Sequence, residues 1–289
     1  MTVLEILNWV TQHLGDHKIE NPRLNAELLL ARSLNLSKEG LYIHLNSRIK
    51  EGEKKTFEKL VERRIQGEPL QYILEHQGFW SFDLKVDPRV LIPRPETELL
   101  VEQALSILSK TSYEKSPSVL EIGTGSGAIA ISLAREFKDI FLVATDISLD
   151  ALFLARENAE SAGVLFRIEF VNGDLWGPFR PFNEREPFDL ILSNPPYVAR
   201  SDIERLAGEV KDHEPRIALD GGEEGMEFYQ RIASRTSFYL RRGGWLLLEV
   251  GQGQGQRVSE LIEREEDFLK PEIVPDLAGI GRVVKTQRK

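Results

Sequence analysis

Asn194, Pro195, Pro196 and Tyr197 follow directly on the apolar run Phe188-Asp189-Leu190-Ile191-Leu192-Ser193. Proline has no N–H, so two in succession end any strand that reaches them, stiffen the turn and strip it of donors. The Asn194 side chain and the local carbonyls are then the polar groups left. The Asn194 side-chain oxygen and the Pro195 carbonyl each suit one hydrogen of a planar NH2 group, with the Tyr197 ring stacked on its plane. Holding both hydrogens aims the nitrogen lone pair at an electrophile. An amide nitrogen needs such help because its lone pair is delocalised. Polarisation by two acceptors, loss of planarity and in-line placement would supply the rate. The same four residues suit the exocyclic amine of adenine, so the motif alone leaves amide and adenine open.

A second group lies upstream. Glu121-Ile122-Gly123-Thr124-Gly125-Ser126-Gly127 sits where an apolar strand turns into a helix, and a helix start offers unpaired N–H groups. Its G-x-G-x-G spacing differs from the G-x-G-x-x-G of dinucleotide-binding loops. It resembles instead the first motif of class I S-adenosylmethionine-dependent methyltransferases, whose loop wraps the amino-acid and ribose parts of the cofactor. Asp146 closes the next strand, Val143-Ala144-Thr145-Asp146, at about the 20-residue distance where a ribose-binding carboxylate belongs. Ser148 is the better N-cap for the helix that follows, which leaves Asp146 for the ribose hydroxyls. Asp174 and Trp176, after the third strand, stand where an adenine would be met, Asp174 for its amine and Trp176 for its ring.

These groups work together only if one sheet edge gathers them. From Ser118 onward near-continuous apolar strands alternate with helices, which predicts a mainly parallel sheet covered on both faces. Right-handed crossovers then bring every strand's carboxyl end to one edge, where ligands bind. Residues up to about Glu75 keep helical spacing: Leu4, Leu7, Val10 and Leu14; then Ala26, Leu29, Leu30 and Leu34; then Phe57, Leu60, Val61 and Ile65. Residues 78–86 suit a hairpin, and Pro93 and Pro95 impose an extended turn before a helix that begins at Glu96-Thr97-Glu98. The predicted fold class is α/β, a Rossmann-like class I methyltransferase domain with a small helical N-terminal domain and a β-hairpin linker. The predicted bounds are 1–76 for the helical domain, 77–96 for the linker and 97–289 for the methyltransferase domain.

Composition narrows the partners. The 289 residues carry a formal net charge of -9, a field that repels polyphosphate and argues against DNA or RNA as substrate. The dense basic pairs, Arg63-Arg64 and Arg241-Arg242, are read as solvated helix faces. Cysteine is absent, which excludes disulfides, thiolate metal sites and a Cys nucleophile. The five His are read as single residues rather than ligand pairs, so no metal is expected. No apolar run reaches membrane-spanning length and the N-terminus lacks a secretion signal, so a cytoplasmic, membrane-free protein is expected.

Leu91-Ile92-Pro93-Arg94-Pro95-Glu96-Thr97-Glu98, the Glu121–Gly127 loop, Asn194–Tyr197, the segment His213–Gly225 and Gly243–Gly255 occur in this order. Together they resemble the HemK/PrmC family, the peptide chain release factor glutamine methyltransferases, over nearly the whole chain. The resemblance implies methylation of the glutamine side-chain nitrogen (N5) in the Gly-Gly-Gln motif of class 1 release factors. The donor would be S-adenosyl-L-methionine, the product S-adenosyl-L-homocysteine, and the enzyme a monomer without direct nucleic-acid contact. Carried over by position, cofactor residues fall on Gly123, Thr124, Gly125, Ser126, Gly127, Asp146, Trp176 and Asn194. The glutamine site falls on Asn194, Pro195, Pro196 and Tyr197. Phe79, Arg94, Glu96, Glu121 and Asp174 border the site, with Arg94 and Glu96 expected to pair with each other or to cap the helix. Ribosomal protein glutamine methyltransferases are the nearest alternative, and adenine-N6 methyltransferases of DNA or RNA the next.

Overall fold

The computed structural model describes residues 1–289 except 112, 114 and 180–187, and it divides into two compact units. The first comprises Met1–His76 with Ala207–His213. Its helices are α1 (Val3–Asp16), α2 (Pro22–Leu34), α3 (Lys38–Ile43), α4 (Glu51–Ile65) and α5 (Leu70–Leu74). A capping box between Thr2 and Glu5 starts α1, satisfying two otherwise unpaired donors. Val3, Ile6, Leu7, Val10 and Leu14, the helical stripe of α1, bury against Ala26, Leu29 and Leu30 of α2 and Phe57 and Val61 of α4.

Arg64 departs from the solvated face read for it. Only 4% exposed, it donates to Asn25 Oδ1 (2.7 Å), the Glu68 carbonyl (2.9 Å) and Glu209 Oε1 (2.5 Å). Three acceptors make burial of its charge tolerable and tie the 207–213 segment to the helices. His13 and His17 also depart from the reading of isolated residues. They lie one helical turn apart, with ring centroids 4.6 Å from each other. Among the described residues no group of three or more His, Asp or Glu is placed to hold a metal ion, and no helix is long and apolar enough to cross a membrane.

The second unit comprises Gln77–Leu206 and Glu214–Lys289. In chain order the next elements are β1 (His76–Phe79), β2 (Phe82–Lys85), α6 (Thr97–Lys110), β3 (Ser118–Ile122), α7 (Ala128–Glu136), β4 (Phe141–Asp146), α8 (Leu149–Ser161), β5 (Ile168–Asn172) and β6 (Phe188–Ser193). After α9 (Gly208–Lys211), part of the first unit, come α10 (Glu227–Thr236), β7 (Leu240–Glu249), α11 (Gly255–Glu263), β8 (Glu272–Pro275) and β9 (Gly281–Gln287). β1 and β2 form the expected hairpin, turned at Trp80 with φ 55°. The other strands form one seven-stranded sheet in the order β5-β4-β3-β6-β7-β9-β8, parallel through β7 and antiparallel at β9 and β8.

Alternation along each strand divides the core between the two faces. Val119, Leu190, Leu192 and Leu247 pack with Leu100 and Leu108 of α6 and Leu133 of α7. Leu120, Ile191, Leu246 and Leu248 pack with Tyr229 and Ile232 of α10 and Val258 and Ile262 of α11. Arg241 lies on β7 rather than on a helix and ion-pairs with Asp189 at 2.6 Å.

Candidate active site

Register gathers the site. Ile122 at the end of β3 pairs with Thr145 on one side and Ser193 on the other, and Asp146 pairs with Asn172. The residues that follow, Gly123, Ile147, Gly173 and Asn194, therefore meet at one carboxyl edge and wall a single cavity. Its wall is completed by Val90, Leu91, Pro93 and Arg94 of the linker, Thr97 at the start of α6, Pro215, Ile217 and Ala218, and Phe228 and Arg231 of α10.

Within the loop after β3 the glycines carry the backbone. Gly123, Gly125 and Gly127 all have positive φ, at 77°, 55° and 84°, a region open to glycine at little cost. A Cβ at Gly123 or Gly125 would meet no atom within 4 Å, so the loop presents bare backbone to open space, whereas at Gly127 it would come within 2.9 Å of Ile131 Cδ1. Thr145 accepts from both the Gly123 and Thr124 N–H groups at 2.8 Å, fixing the loop to β4.

Two carboxylates stand behind this loop. Asp146 accepts the Gly125 N–H on Oδ2 and the Ser148 N–H on Oδ1, each at 2.9 Å, and burial raises its pKa. Ser148 caps α8 as expected, accepting the Ala151 N–H at 3.2 Å. Glu121, fully buried, accepts from Thr124 Oγ1 (2.7 Å) and the Ala130 N–H (3.1 Å) through Oε2. Its Oε1 has no protein partner, and burial pushes its pKa up to about 8. Asp174 lies in the wall beside Arg231, its ion-pair partner at 2.5 Å.

At the end of β6, Ser193 donates to the Ile122 carbonyl (2.7 Å) and Asn194 Nδ2 to Thr97 Oγ1 (3.2 Å). Asn194, Pro195 and Pro196 reach the cavity wall; Tyr197 is next to it and packs on the core with Leu248 and Tyr229. Burial, with the nearby Glu249 carboxylate, pushes the Tyr197 phenol up to about 12. Its carbonyl accepts from Gln254 Nε2 at 2.9 Å, while Gln254 Oε1 accepts the Gly251 N–H at 3.0 Å. Opposite, Val198 N–H donates to the Leu219 carbonyl (3.0 Å) and Gly221 N–H to the Val198 carbonyl (2.9 Å).

The remaining sequence-selected residues are distributed differently from expectation. Trp176 stays out of the wall. It stacks on Tyr239 at 4.6 Å and donates its indole N–H to the Arg231 carbonyl at 3.0 Å. Phe79 is buried in the core beside α6 and α7. Arg94 and Glu96 do not pair with each other. Arg94 joins Glu214 (2.5 Å) and Glu96 faces Arg282 (3.6 Å), while Glu96 supplies no side-chain cap to α6. Thr97, Glu214, Glu249 and Gln254 were not selected from sequence. For Gln254 the cue was the Gly-Gln-Gly-Gln-Gly run, Gly251 to Gly255, whose glycines permit close backbone approach.

Known proteins extend the comparison beyond geometry. The family model described as "PrmC N-terminal domain" matches residues 5–74, and "Methyltransferase small domain" matches 97–213. The release factor glutamine methyltransferase of Geobacter sulfurreducens is 40% identical over 283 residues, covering 98% of this chain and 95% of that one. That of Moorella thermoacetica is 37% identical over 289 residues, covering 100% and 99%. Among solved structures, the N-terminal domain of human METTL16 in complex with SAH superposes with a TM-score of 0.52 at 16% identity, over 71% of this chain and 75% of that one. A methyltransferase from Pyrococcus furiosus gives 0.50 at 20% identity, over 73% and 90%. These two share the fold. With near-complete coverage by its sequence relatives, the chain belongs to the release factor glutamine methyltransferase family.

Proposed function

We propose that this protein methylates the side-chain amide nitrogen of the glutamine in the Gly-Gly-Gln motif of class 1 release factors, with S-adenosyl-L-methionine as donor. The observation that carries the reading is the placement of Asn194 and Pro195 on the wall that also holds the glycine loop and Asp146. The wall fits the donor: Gly123 and Gly125 leave bare backbone against open space, and the buried Glu121 Oε1 lacks a partner. Gly123–Gly127 and Asp146 would hold its amino-acid and ribose parts, and Asp174 the adenine amine. When bound, it supplies an electrophilic methyl group on a sulfonium centre.

The chain's own residues do the rest. Asn194 Oδ1 and the Pro195 carbonyl accept the two N–H bonds of the glutamine amide, with the Tyr197 ring beside its plane. They polarise the amide and fix its orientation without removing a proton beforehand. The two prolines cannot donate, so nothing in the turn competes for the acceptors. The phenol of Tyr197, with its raised pKa, stays neutral and adds no charge near the nitrogen. The helical unit docks the release factor, and the acidic net charge suits a protein partner better than a nucleic acid. The enzyme acts as a cytoplasmic monomer.

Incubation with methyl-labelled donor and a release factor should label the Gly-Gly-Gln peptide alone. Label that survives replacement of that glutamine refutes the substrate. Asn194→Ala should lower methyl transfer about 100-fold while leaving S-adenosyl-L-homocysteine affinity near wild type. Parallel loss of both would assign Asn194 to the scaffold.

A further inference from the structure

A side-chain amide has a donor end and an acceptor end, so Asn194 performs its proposed task in one of its two flips. Its Nδ2 lies 3.2 Å from Thr97 Oγ1. A hydroxyl both donates and accepts, and Thr97 alone would satisfy either flip. The polarity must come from further along.

Glu249 supplies it. It ends β7, whose Leu248 is in register with Ser193 of β6, so Glu249 and Asn194 are neighbours across the sheet edge. Its side chain is buried, as is Thr97 at the start of α6. The Thr97 hydroxyl and the Asn194 amide are the hydrogen-bonding groups that favour its ionised form. A carboxylate only accepts. With the Thr97 proton turned toward Glu249, Thr97 Oγ1 is left to accept from Asn194 Nδ2.

The carboxylate is costly where it stands. Its Oε2 has no hydrogen-bond partner, and among the described residues no cation lies within ion-pair distance of it. Arg282 is engaged by Asp276 at 3.0 Å and Glu96 at 3.6 Å. A buried charge left so poorly matched is a poor scaffold element. We infer that Glu249, facing the Asn194 amide both directly and through Thr97, is a positioning residue that locks that amide with its oxygen toward the substrate. This rests on the methyl-transfer reading of the Asn194 site.

The groups facing Glu249 are Glu96 and Thr97 on the α6 side, Arg282 on β9, Tyr197 and Asn194 after β6, and Tyr229 on α10. Glu249→Gln keeps the shape but offers both a donor and an acceptor, so it no longer imposes a polarity. It should lower kcat about 10- to 100-fold with the Kd for S-adenosyl-L-homocysteine near wild type. Thr97→Val should lower kcat in the same direction and Thr97→Ser should restore most of the rate. An acid limb in the wild-type kcat profile near pH 7 should be absent from Glu249→Gln. Wild-type kcat in Glu249→Gln, or cofactor affinity lost in step with kcat, overturns the inference. A second readout needs no substrate: the 15N-labelled side-chain NH2 signals of Asn194, assigned with Asn194→Ala, should titrate near pH 7 in the wild type and stay flat in Glu249→Gln. Signals that titrate equally in both proteins overturn the inference. A wild-type enzyme that fails to methylate release factor while its Asn194 signals behave as stated overturns the substrate reading alone.

Discussion

Arg94 and Glu214 join the connector to the loop that follows α9, Nη2 to Oε1 at 2.5 Å, and the same carboxylate accepts the Ile92 N–H at 3.1 Å. The Glu214 side chain is 1% exposed and that of Arg94 32%, so the pair is only partly screened by water. Val90, Leu91, Pro93 and Arg94 all line the cavity; Glu214 therefore holds that wall from behind. Glu214→Ala would strand the Ile92 N–H and Arg94 together. It should destabilise the protein by about 2 kcal/mol in urea unfolding. By calorimetry it should weaken S-adenosyl-L-homocysteine binding about 10-fold, a loss of roughly 1.4 kcal/mol.

Asp146 invites a sharper substitution. Its two oxygens already take one backbone N–H each, from Gly125 and Ser148, and about four lone-pair positions leave two for ribose hydroxyls. Asp146→Ala removes the acceptors of both backbone N–H groups and the proposed ribose contact at once. We expect affinity for S-adenosyl-L-homocysteine to fall at least about 10-fold while the circular dichroism spectrum stays native. Unchanged affinity would remove Asp146 from the cofactor site.

Gly225 tests how tightly the Asn194–Tyr197 turn is held. Its φ is 68°, and an added Cβ would lie 2.3 Å from the Tyr197 carbonyl oxygen. Gly253 has φ 82° but open space around a Cβ, so it isolates the conformational part of the effect. Gly253→Ala should cost about 1 kcal/mol, whereas Gly225→Ala should cost more and also depress methyl transfer, because the turn must shift. Equal melting temperatures for the two variants would mean that the turn yields freely.

Glu249 makes stability depend on pH in a definite direction. Burial pushes its pKa to about 7 from the ordinary 4.5, against the pull of Thr97. Between those values the folded protein holds a proton that the unfolded chain has lost, so stability falls as pH rises through that window. Below 4.5 the group is protonated in both states and contributes nothing. Above pH 7 the full destabilisation, on the order of 3 kcal/mol, is present. Glu249→Gln should therefore raise the melting temperature at pH 8 and change it little at pH 4, even as it slows methyl transfer. A variant no more stable than wild type at pH 8 would contradict the burial argument.

What was legible in the sequence was what local chemistry dictates. Proline's missing N–H marked the end of β6, the glycine spacing marked the loop after β3, and strand-end position marked Asp146. The sheet followed from alternation of apolar strands with helices. Trp176 and Phe79 were misplaced because an aromatic next to a site motif has the same local signature whether it faces a ligand or the core. Their surroundings, Tyr239 for the one and the α6–α7 core for the other, come from distant chain. Arg94 and Glu96 were assigned each other because they are close in sequence, yet each found a partner far along the chain in Glu214 and Arg282. Glu249 ends an apolar strand, and its relation to Asn194 exists only once β6 and β7 are in register. The amide-or-adenine ambiguity of Asn194–Tyr197 was likewise beyond local chemistry, and the amide side is the one that agrees with the family to which the nearly end-to-end relatives belong.

Between Phe188 and Leu190 the pairing of β6 with β7 skips from Leu240 to Trp245, so Arg241–Gly244 leave the ladder with β6 before the register locks, Gly243 and Gly244 bonding through their backbones to Arg288 instead. That irregularity divides β7 into a stretch where chain length is negotiable and a stretch where it is not. An insertion between Arg241 and Arg242, ahead of the Gly243 and Gly244 bonds to Arg288, is absorbed as loop. One added residue after Trp245 turns every following side chain to the opposite face, taking Glu249 away from Asn194 while the strand remains a strand. Such an insertion would change the count along a single strand and, with it, the chemistry.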